Sequence, residues 1–355
     1  AFTMMGTVAS QVTATATIIN MLGGDIGISY EAGAMIATVV FMVYTATSGL
    51  FGVVYTDVLQ FYMLLLFVYI LIPVASLFHV GGIGNFVANV NPALVKPYID
   101  GSILGDIVTY LVFTMAGAEM WQRAFAAKDA QSARKGMFLG TSVYGVTIIL
   151  VFFMGLVAHQ IVGDEILAQF GSTDATVPAL AIKVLPVGLT GLALAGMLSV
   201  IMSTADSYLL VSVQSVVRDI MYTFNPKMTD KAEIKWSRIF SIVLPIGALI
   251  IALYIKNAYN ILMFAWSFYA AACGLPAFAS LYWKKATNAG IIAGMLGGAS
   301  MVFLWKLAIS KLGGVFAIYE LLPAFVFSSL CIVVVSLLTK EPSDEIKEDF
   351  EAVRT

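Results

Sequence analysis

Apolar runs about 20 residues long alternate with short polar loops throughout the chain. Only helices and closed barrels can cross a bilayer, and runs of this length match helices rather than barrel strands. The pattern therefore predicts an all-α polytopic membrane protein with about ten transmembrane helices. The predicted segments are Phe2–Leu22, Ala34–Val54, Val58–Phe78, Leu104–Phe125, Met137–Ile161, Leu189–Tyr222, Ile239–Ile255, Ile261–Trp283, Ala289–Ile309 and Ile318–Leu338.

The distribution of basic residues among the loops predicts how these segments are oriented. The loops after the fourth, sixth and eighth segments, together with the tail, hold 14 of the 19 Lys and Arg residues. Because cytoplasmic loops carry the excess of positive charge, this side is predicted to face the cytoplasm. We expect an integral protein of a bacterial plasma (inner) membrane, with a transmembrane domain over residues 1–339 and a short cytoplasmic tail over residues 340–355.

Composition excludes several other classes of protein. Hydrophobic residues make up 60% of the chain and charged residues 11%, whereas a soluble domain has roughly 25% charged residues. The chain has no basic block that would favour nucleic acid, so the lipid bilayer is its expected surrounding. Cys273 and Cys331 lie in apolar runs, which favours two buried thiols over a disulfide or a metal site. The chain opens at Ala1 inside an apolar segment without a signal-peptide pattern, so we expect an upstream part to be missing.

The most informative polar residues interrupt the apolar run within the sixth segment. On a helix, four positions form one continuous stripe with Asp206 beside it, namely Val200, Ser203, Thr204 and Ser207. Polar groups at membrane depth are costly and mark functional sites, and hard oxygen atoms favour an alkali or alkaline-earth cation. The alternative is that each hydroxyl bonds the carbonyl four residues earlier. A short unwinding at Val200 would free its carbonyl for an ion.

Asp57 lies at the predicted junction of the second and third segments. One interpretation is that it caps a helix or lies in its first turn, where the helix dipole favours an acid. The other is that its carboxylate faces an inward vestibule and attracts a departing cation. The two roles are compatible, so both stay open at this point.

Polar and aromatic side chains elsewhere are candidates for substrate binding or gating, namely Gln11, Glu119, Trp121, Trp266 and Tyr269. Glu119 lies four residues before Arg123, so an ion pair within one helix is an alternative to a coupling role. The stretch from Trp266 to Pro276 mixes aromatic residues with Pro, which is compatible with a bend lining a cavity or with simple core packing.

Two further patterns concern the arrangement of helices. The charged, amphipathic stretch that ends at Gly136 favours a helix lying at the cytoplasmic interface. Small residues recur four apart at Gly290, Gly294 and Gly298. Such spacing allows helices to approach closely, so we expect these glycines to pack against a neighbour rather than to line a pore.

Three motifs, in this order, resemble signatures of the solute:sodium symporter family. They are the Gly-Leu, Thr-Asp and Gln run at Gly49–Gln60, the Gln-Arg, Ala-Ala-Lys-Asp and Ala-Arg run at Gln122–Arg134, and Met-Ser-Thr-Ala-Asp-Ser at Met202–Ser207. The similarity covers essentially the whole chain. It implies the five-plus-five inverted-repeat fold of the leucine-transporter type, in which the first segment here corresponds to the third core helix and the sixth to the eighth.

The resemblance also implies ligands for Na⁺. The Val200 carbonyl and the hydroxyls of Ser203 and Thr204 would supply the eighth-helix half of the main Na⁺ site. Asp57, with Ser203 and Ser207, matches positions that some members use for a second Na⁺ or for the exit route. The first core helix, which would supply the other half of the main site, and many substrate contacts are expected upstream of the first residue.

The expected function is sodium-coupled secondary active symport of a small polar solute by alternating access, without enzyme activity. The solute could be a sugar, an amino acid, a carboxylate or a vitamin-like molecule. The sugar-transporting branch has a Lys in the seventh core helix, and Met137–Ile161 has none, which disfavours sugar. A transporter-like sensor domain without net transport is an alternative, although the tail is short. An intramembrane enzyme is disfavoured because no Ser-His pair, His-rich metal motif or acid dyad appears in facing segments.

Overall fold

The computed structural model describes residues 1–23, 26–96, 101–163, 169, 172–343, 346, 350 and 351, and the side chains at 47–55, 101, 102, 119, 123 and 315 lie outside that description. Across the described residues the secondary structure is helical, without a strand. The chain divides into two compact units. The first comprises Ala1–Lys96 and Ala127–Leu262, and the second comprises Pro97–Ala126 and Met263–Thr355.

The described residues form fifteen α-helices of four or more residues, numbered here in chain order. They are α1 (Phe2–Gly23), α2 (Tyr30–Met63), α3 (Ile72–His79), α4 (Ile83–Asn89), α5 (Pro92–Val95), α6 (Gly101–Ala116), α7 (Ala118–Phe125), α8 (Ala130–Ile161), α9 (Thr176–Val184), α10 (Val187–Gln214), α11 (Asp230–Ile255), α12 (Ala258–Tyr269), α13 (Leu275–Tyr282), α14 (Asn288–Leu307) and α15 (Leu321–Leu338). Three π-helical segments extend or join them: Leu64–Leu71 between α2 and α3, Ser215–Met221 after α10, and Ala270–Gly274 between α12 and α13.

Eight helical stretches in the described part of the chain are long and apolar enough to cross a membrane, and they match the third to tenth predicted segments. The first predicted segment forms α1, a helix of 22 residues that is rich in Thr. The second lies within α2, where Tyr30–Ala46 is a shorter apolar stretch. The all-α polytopic fold class is therefore confirmed, and the chain is an integral membrane protein. The division into a membrane domain and a tail at residue 339 stays a prediction.

The stretch before the fifth predicted segment does not form the separate interfacial helix that its sequence predicts. Asp129 caps α8, and its side chain accepts a hydrogen bond of 2.7 Å from the backbone N–H of Ser132. This N–H bond holds the pKa of Asp129 below its usual value. The capped helix then runs without interruption to Ile161, so Arg134 and Lys135 lie in the first turns of α8 instead of in a separate helix.

In the first unit, α1, α2, α10 and α11 pack against one another around small apolar side chains. The buried residues at this junction are Val12, Ala16, Ala34, Ala37, Phe41, Ala205 and Ala252. A methyl group at Gly33 would lie 3.0 Å from the Ala16 carbonyl oxygen, and one at Gly196 would lie 3.1 Å from the Met63 carbonyl oxygen. These glycines let α2 approach α1 and α10 closely, which brings polar side chains of α2 and α10 together.

In the second unit, α14 and α15 pack along the predicted glycine stripe. A side chain at Gly290 or Gly294 would overlap Ser336 or Ile332 of α15, and one at Gly298 would overlap the backbone of Ala271. The hydroxyl of Ser328 donates to the Gly294 carbonyl at 2.9 Å across the same contact. The structure thus agrees with the expectation that these glycines serve helix packing.

We predict that Gly294→Leu destabilises the protein by about 1–3 kcal/mol, because the added side chain has no space against α15. Thermal unfolding of the detergent-solubilised protein measures the effect. Gly145→Leu is the matched control, since nothing lies within 4 Å of a Cβ at that helical position. Equal melting temperatures for the two variants would contradict the packing assignment.

Candidate functional site

The predicted stripe lies on α10, which is an unbroken α-helix from Val187 to Gln214. Val200, Ser203, Thr204 and Ser207 are all partly buried. The hydroxyl of Thr204 donates to the carbonyl of Val200 at 3.0 Å. The structure therefore does not show the expected unwinding at Val200, because the helix is continuous there and the carbonyl already accepts the hydroxyl one turn later.

This back-bond leaves the Thr204 oxygen able to bind a cation. A hydroxyl has one proton to donate and two lone pairs, so the oxygen that donates to Val200 keeps its lone pairs for another partner. The Val200 carbonyl oxygen also has two lone pairs, so it can accept the Thr204 hydroxyl and still contact an ion. The structure brings these residues together as predicted, and their role as ligands stays a proposal.

Ser203 connects α10 to α2 through the predicted acid. Its hydroxyl donates to an oxygen of Asp57 at 2.5 Å, a length typical of a hydroxyl bound to a carboxylate. Asp57 lies well inside α2 and not at a helix N-terminus. The capping interpretation is therefore wrong, because the helical backbone continues through the predicted junction and the carboxylate turns to α10.

A second connection between the same helices was not predicted. Thr45 of α2 donates its hydroxyl to Asp206 of α10. Asp206 is 1% exposed. From the sequence, Asp206 is only a neighbour of the predicted stripe, and Thr45 is not among the candidate site residues. A lone Thr in an apolar helix is a weak signal, since most such hydroxyls bond their own backbone.

Two residues of α2 that are 12 positions apart both contact α10. Thr45 donates to Asp206 and Asp57 accepts from Ser203, and these two residues of α10 are three positions apart. The side chains of Tyr44 and Thr56, also on α2, are hydrogen-bonded to each other. Thr45 and Asp57 therefore both meet the same stretch of α10.

In the second unit, a break in the helix organises the remaining candidates. Gly117 is extended, with φ −60° and ψ 123°, and separates α6 from α7. The break frees carbonyls at the end of α6, and two of the predicted residues bind them. The hydroxyl of Tyr269 donates to the Ala116 carbonyl at 2.8 Å, and the indole N–H of Trp121 donates to the Met115 carbonyl at 3.0 Å.

Trp266 lies beside this break in an aromatic cluster. Its ring stacks on Phe113 with centroids 4.3 Å apart, and Tyr269 meets the edge of the same Phe113 at 5.4 Å. The π-helical segment Ala270–Gly274 begins directly after Tyr269. Between Trp266 and Pro276 the helix thus changes from α to π and back to α. The aromatic side chains here pack against one another.

Two other predicted residues are placed differently. Gln11 lies on α1 in the first unit, partly buried, with its amide donating to the Ser10 hydroxyl at 3.2 Å. The side chains of Glu119 and Arg123 lie outside the described part of the chain, so their ion pair has no test here. Cys273 and Cys331 are free thiols. Among the described residues, no group of three or more His, Cys, Asp or Glu side chains could hold a metal ion.

The fold and the oxygen-rich cluster between α2 and α10 define a polytopic membrane protein with a candidate site for a hard monovalent cation. The chain belongs to the sodium:solute symporter family, whose model matches residues 2–298. The family and the relatives of known function are transporters, not enzymes.

Relatives of known function are similar along most of the chain. The osmoregulated proline transporter OpuE of Bacillus subtilis is 28% identical over 331 residues, which cover 89% of this chain and 65% of the relative. The sodium/proline symporter of Escherichia coli is 26% identical, with 91% and 65% covered. The sodium/pantothenate symporter of Haemophilus influenzae is 28% identical, with 88% and 66% covered. The chain thus spans about two thirds of the length of these relatives.

A solved structure shares the fold. A Na⁺-coupled sialic acid symporter, determined in a substrate-bound outward-open state, superposes with a TM-score of 0.72 at 16% sequence identity. The match covers 96% of this chain and 75% of that chain. At this identity the likeness establishes the architecture of the helices and nothing about the solute.

We predict that Tyr269→Phe loosens the break at Gly117, because the Ala116 carbonyl loses its donor and a net hydrogen bond contributes about 1 kcal/mol. Hydrogen exchange of the α7 backbone amides should become faster. Tyr254→Phe serves as the control, since Tyr254 is 91% exposed. Unchanged exchange in α7 of the Tyr269 variant would show that the hydroxyl does not hold the break.

Proposed function

We propose that the protein imports a small polar solute together with Na⁺ by alternating access. The observation that carries this proposal is the contact of Ser203 with Asp57, beside Thr204 and Val200, in a helix long enough to cross the membrane. Membership of the sodium:solute symporter family and the sodium symporters among the relatives support it.

The Val200 carbonyl and the hydroxyl oxygens of Ser203 and Thr204 form the part of the main Na⁺ site that α10 supplies. Both hydroxyls give their protons to other oxygens, to Asp57 and to Val200, and so direct lone pairs outward. Hard, neutral oxygens of this kind suit a partly dehydrated alkali cation. Binding here stabilises the outward-facing state that accepts the solute, and inward opening weakens the cage.

Asp57 and Ser207 form the route by which Na⁺ leaves. Asp57 already accepts the Ser203 hydroxyl, so its carboxylate is the nearest charged group to a ligand of the main site. Ser207 lies one turn after Ser203 on the same stripe, towards the end of α10. A carboxylate beside the site lowers the barrier for a departing cation. With the basic loops in the cytoplasm, this end of α10 and the carboxyl terminus face inward.

One Na⁺ per cycle provides enough energy for concentrative uptake. A charge that crosses 100 mV contributes about 2.3 kcal/mol, and a tenfold Na⁺ gradient adds about 1.4 kcal/mol. The sum, about 3.7 kcal/mol, can sustain a solute gradient of several hundredfold.

The solute is proposed to be a small molecule that carries a carboxylate. Proline, pantothenate and sialic acid, the solutes in the names of the relatives and of the solved symporter, all carry one. In the second unit, Trp121 and Tyr269 donate to carbonyls at the helix break at Gly117, and Trp266 stacks on Phe113 on the helix before it. Broken membrane helices expose polar backbone groups that bind polar solutes in transporters, so we place solute contacts of this unit at the break.

We predict that Thr204→Ala and Ser203→Ala in the intact transporter each raise the Na⁺ concentration for half-maximal uptake by roughly tenfold, the equivalent of about 1.4 kcal/mol. Uptake into vesicles at varied Na⁺ measures this. Ser199→Ala is the matched control, because the Ser199 hydroxyl bonds its own helix at the Gly196 carbonyl. Unchanged Na⁺ dependence of both site variants would refute the assignment, and uptake independent of any ion would refute symport.

Asp57→Asn tests the exit route. We expect the maximal uptake rate to fall by about tenfold, with less than about a twofold change in half-saturating Na⁺, because the amide removes the charge that assists release. Initial rates at saturating solute measure both quantities. The opposite pattern, weaker Na⁺ binding at an unchanged maximal rate, would make Asp57 a ligand of the main site instead.

A further inference from the structure

Three basic side chains share one side of the first turns of α11, away from the site already described. Lys231, Lys235 and Arg238 follow one another at intervals of four and three residues, which places them on the same side of the helix. All three are exposed. We call them the basic face of α11. They lie near the start of the span Asp230–Ile255, at the end predicted to face the cytoplasm.

The protein itself does not neutralise the basic face. In the part of the chain that the structure describes, its three side chains form no ion pair. Two acids lie in the same turns. Glu233 projects from the opposite side of the helix, and its carboxylate pairs with Arg218 at 3.3 Å. Asp230 begins the helix at least about 80° away from each cation. Three positive charges are therefore open to an anion from outside the protein.

The same side of α11 becomes apolar directly after Arg238. Ile242 and Ile246 continue the spacing at intervals of four residues, and they are 48% and 45% exposed. At 3.6 residues per turn, these two side chains and the basic face all lie within about 80° of one another around the helix. One continuous surface therefore carries positive charge at one end and exposed hydrocarbon at the other.

The length of this surface matches one leaflet of a bilayer. Lys231 and Ile246 are 15 residues apart, which is about 22 Å along the helix. That is half of a bilayer about 40–45 Å thick with its headgroups. Trp236, which is 38% exposed, lies at the depth of the cations, and Trp is enriched at the level of the headgroups. A molecule that fits this surface has an anionic head and an apolar chain as long as a leaflet is thick.

We propose that the basic face of α11 binds the headgroup of an anionic phospholipid, and that Ile242 and Ile246 contact its acyl chain. A zwitterionic headgroup brings its own positive charge, whereas phosphatidylglycerol offers a net negative charge to basic residues at the membrane surface. Membrane topology alone asks only for positive charges in the loop, on any side of a helix. It does not explain three cations on one side, continued by exposed isoleucines.

The lipid preference of the intact transporter tests the proposal. Native mass spectrometry of the detergent-solubilised protein compares phosphatidylglycerol with phosphatidylcholine of the same acyl chains. We expect the wild type to bind its first phosphatidylglycerol about tenfold more tightly than phosphatidylcholine. The triple variant Lys231→Gln, Lys235→Gln and Arg238→Gln should bind both lipids to within about twofold. The triple variant Lys231→Arg, Lys235→Arg and Arg238→Lys keeps the charges and should keep the preference.

Two controls separate the basic face from charge in general and from free phosphate. Lys96→Gln, Lys183→Gln and Lys311→Gln together remove the same charge from the predicted outer side, and this variant should keep the wild-type preference. Glycerol 3-phosphate has the charge of a headgroup without the chains, so it should not displace phosphatidylglycerol at equal concentration. Ile242→Ser with Ile246→Ser should weaken phosphatidylglycerol binding by about threefold to tenfold through loss of apolar contact.

Several outcomes would overturn the proposal. Equal binding of the two lipids by the wild type does so without any variant, and so does an unchanged preference after loss of the basic face. A preference lost equally in the outer control would show an effect of net charge alone. Displacement by glycerol 3-phosphate would make the site one for free phosphate, and unchanged binding in the isoleucine variant would remove the acyl contact. Lipid binding requires neither Na⁺ nor solute, so these results are independent of the proposed function.

Discussion

The cost of burying negative charge in a helix bundle is the constraint on which the centre of this protein depends. Asp57 and Asp206 lie on facing helices, and each carboxylate accepts a hydroxyl from the opposite helix. A hydroxyl donor from the facing helix offsets part of the cost of burying each carboxylate. The contact between the two helices and the surroundings of the two acids therefore depend on each other.

Helix geometry makes this arrangement possible. Small residues at Gly33, Gly196 and Ala205 bring the backbones of α1, α2 and α10 close enough for short side chains to meet. Thr45 and Asp57 of α2 then both meet α10 within about one turn, at Asp206 and Ser203. The small residues are not polar, yet they are needed to place the polar groups.

Much of the fold follows from apolar run lengths, because the bilayer fixes how long a spanning helix must be. The glycine stripe of α14 and the hydroxyl stripe of α10 also follow from residue spacing, since i, i+3 and i+4 positions share a helix face. The hydroxyl partners of Asp57 and Asp206 do not follow from residue spacing. The contact of Thr45 with Asp206 exists only in the folded chain, and spacing along the chain carries no information about a contact between residues 161 positions apart.

The same limit explains the error at Asp57. A polar residue between two apolar runs fits a helix terminus by local rules, but the backbone there continues as helix and tertiary contact with Ser203 decides where the carboxylate turns. At Val200, in contrast, the local rule that a hydroxyl bonds the carbonyl one turn earlier describes the structure correctly. The Thr204 hydroxyl bonds back to Val200, as hydroxyls within helices commonly do, and the helix stays regular.

The π-helical segment Ala270–Gly274 has a consequence for how this region tolerates change in length. A π turn holds about one residue more than an α turn, so the face presented by α13 is rotated by roughly 100° from the one that an uninterrupted helix would give. Loss of one residue inside this segment would be absorbed by a return to the α form at that spot. The same loss within α14 would turn its glycines away from their neighbour.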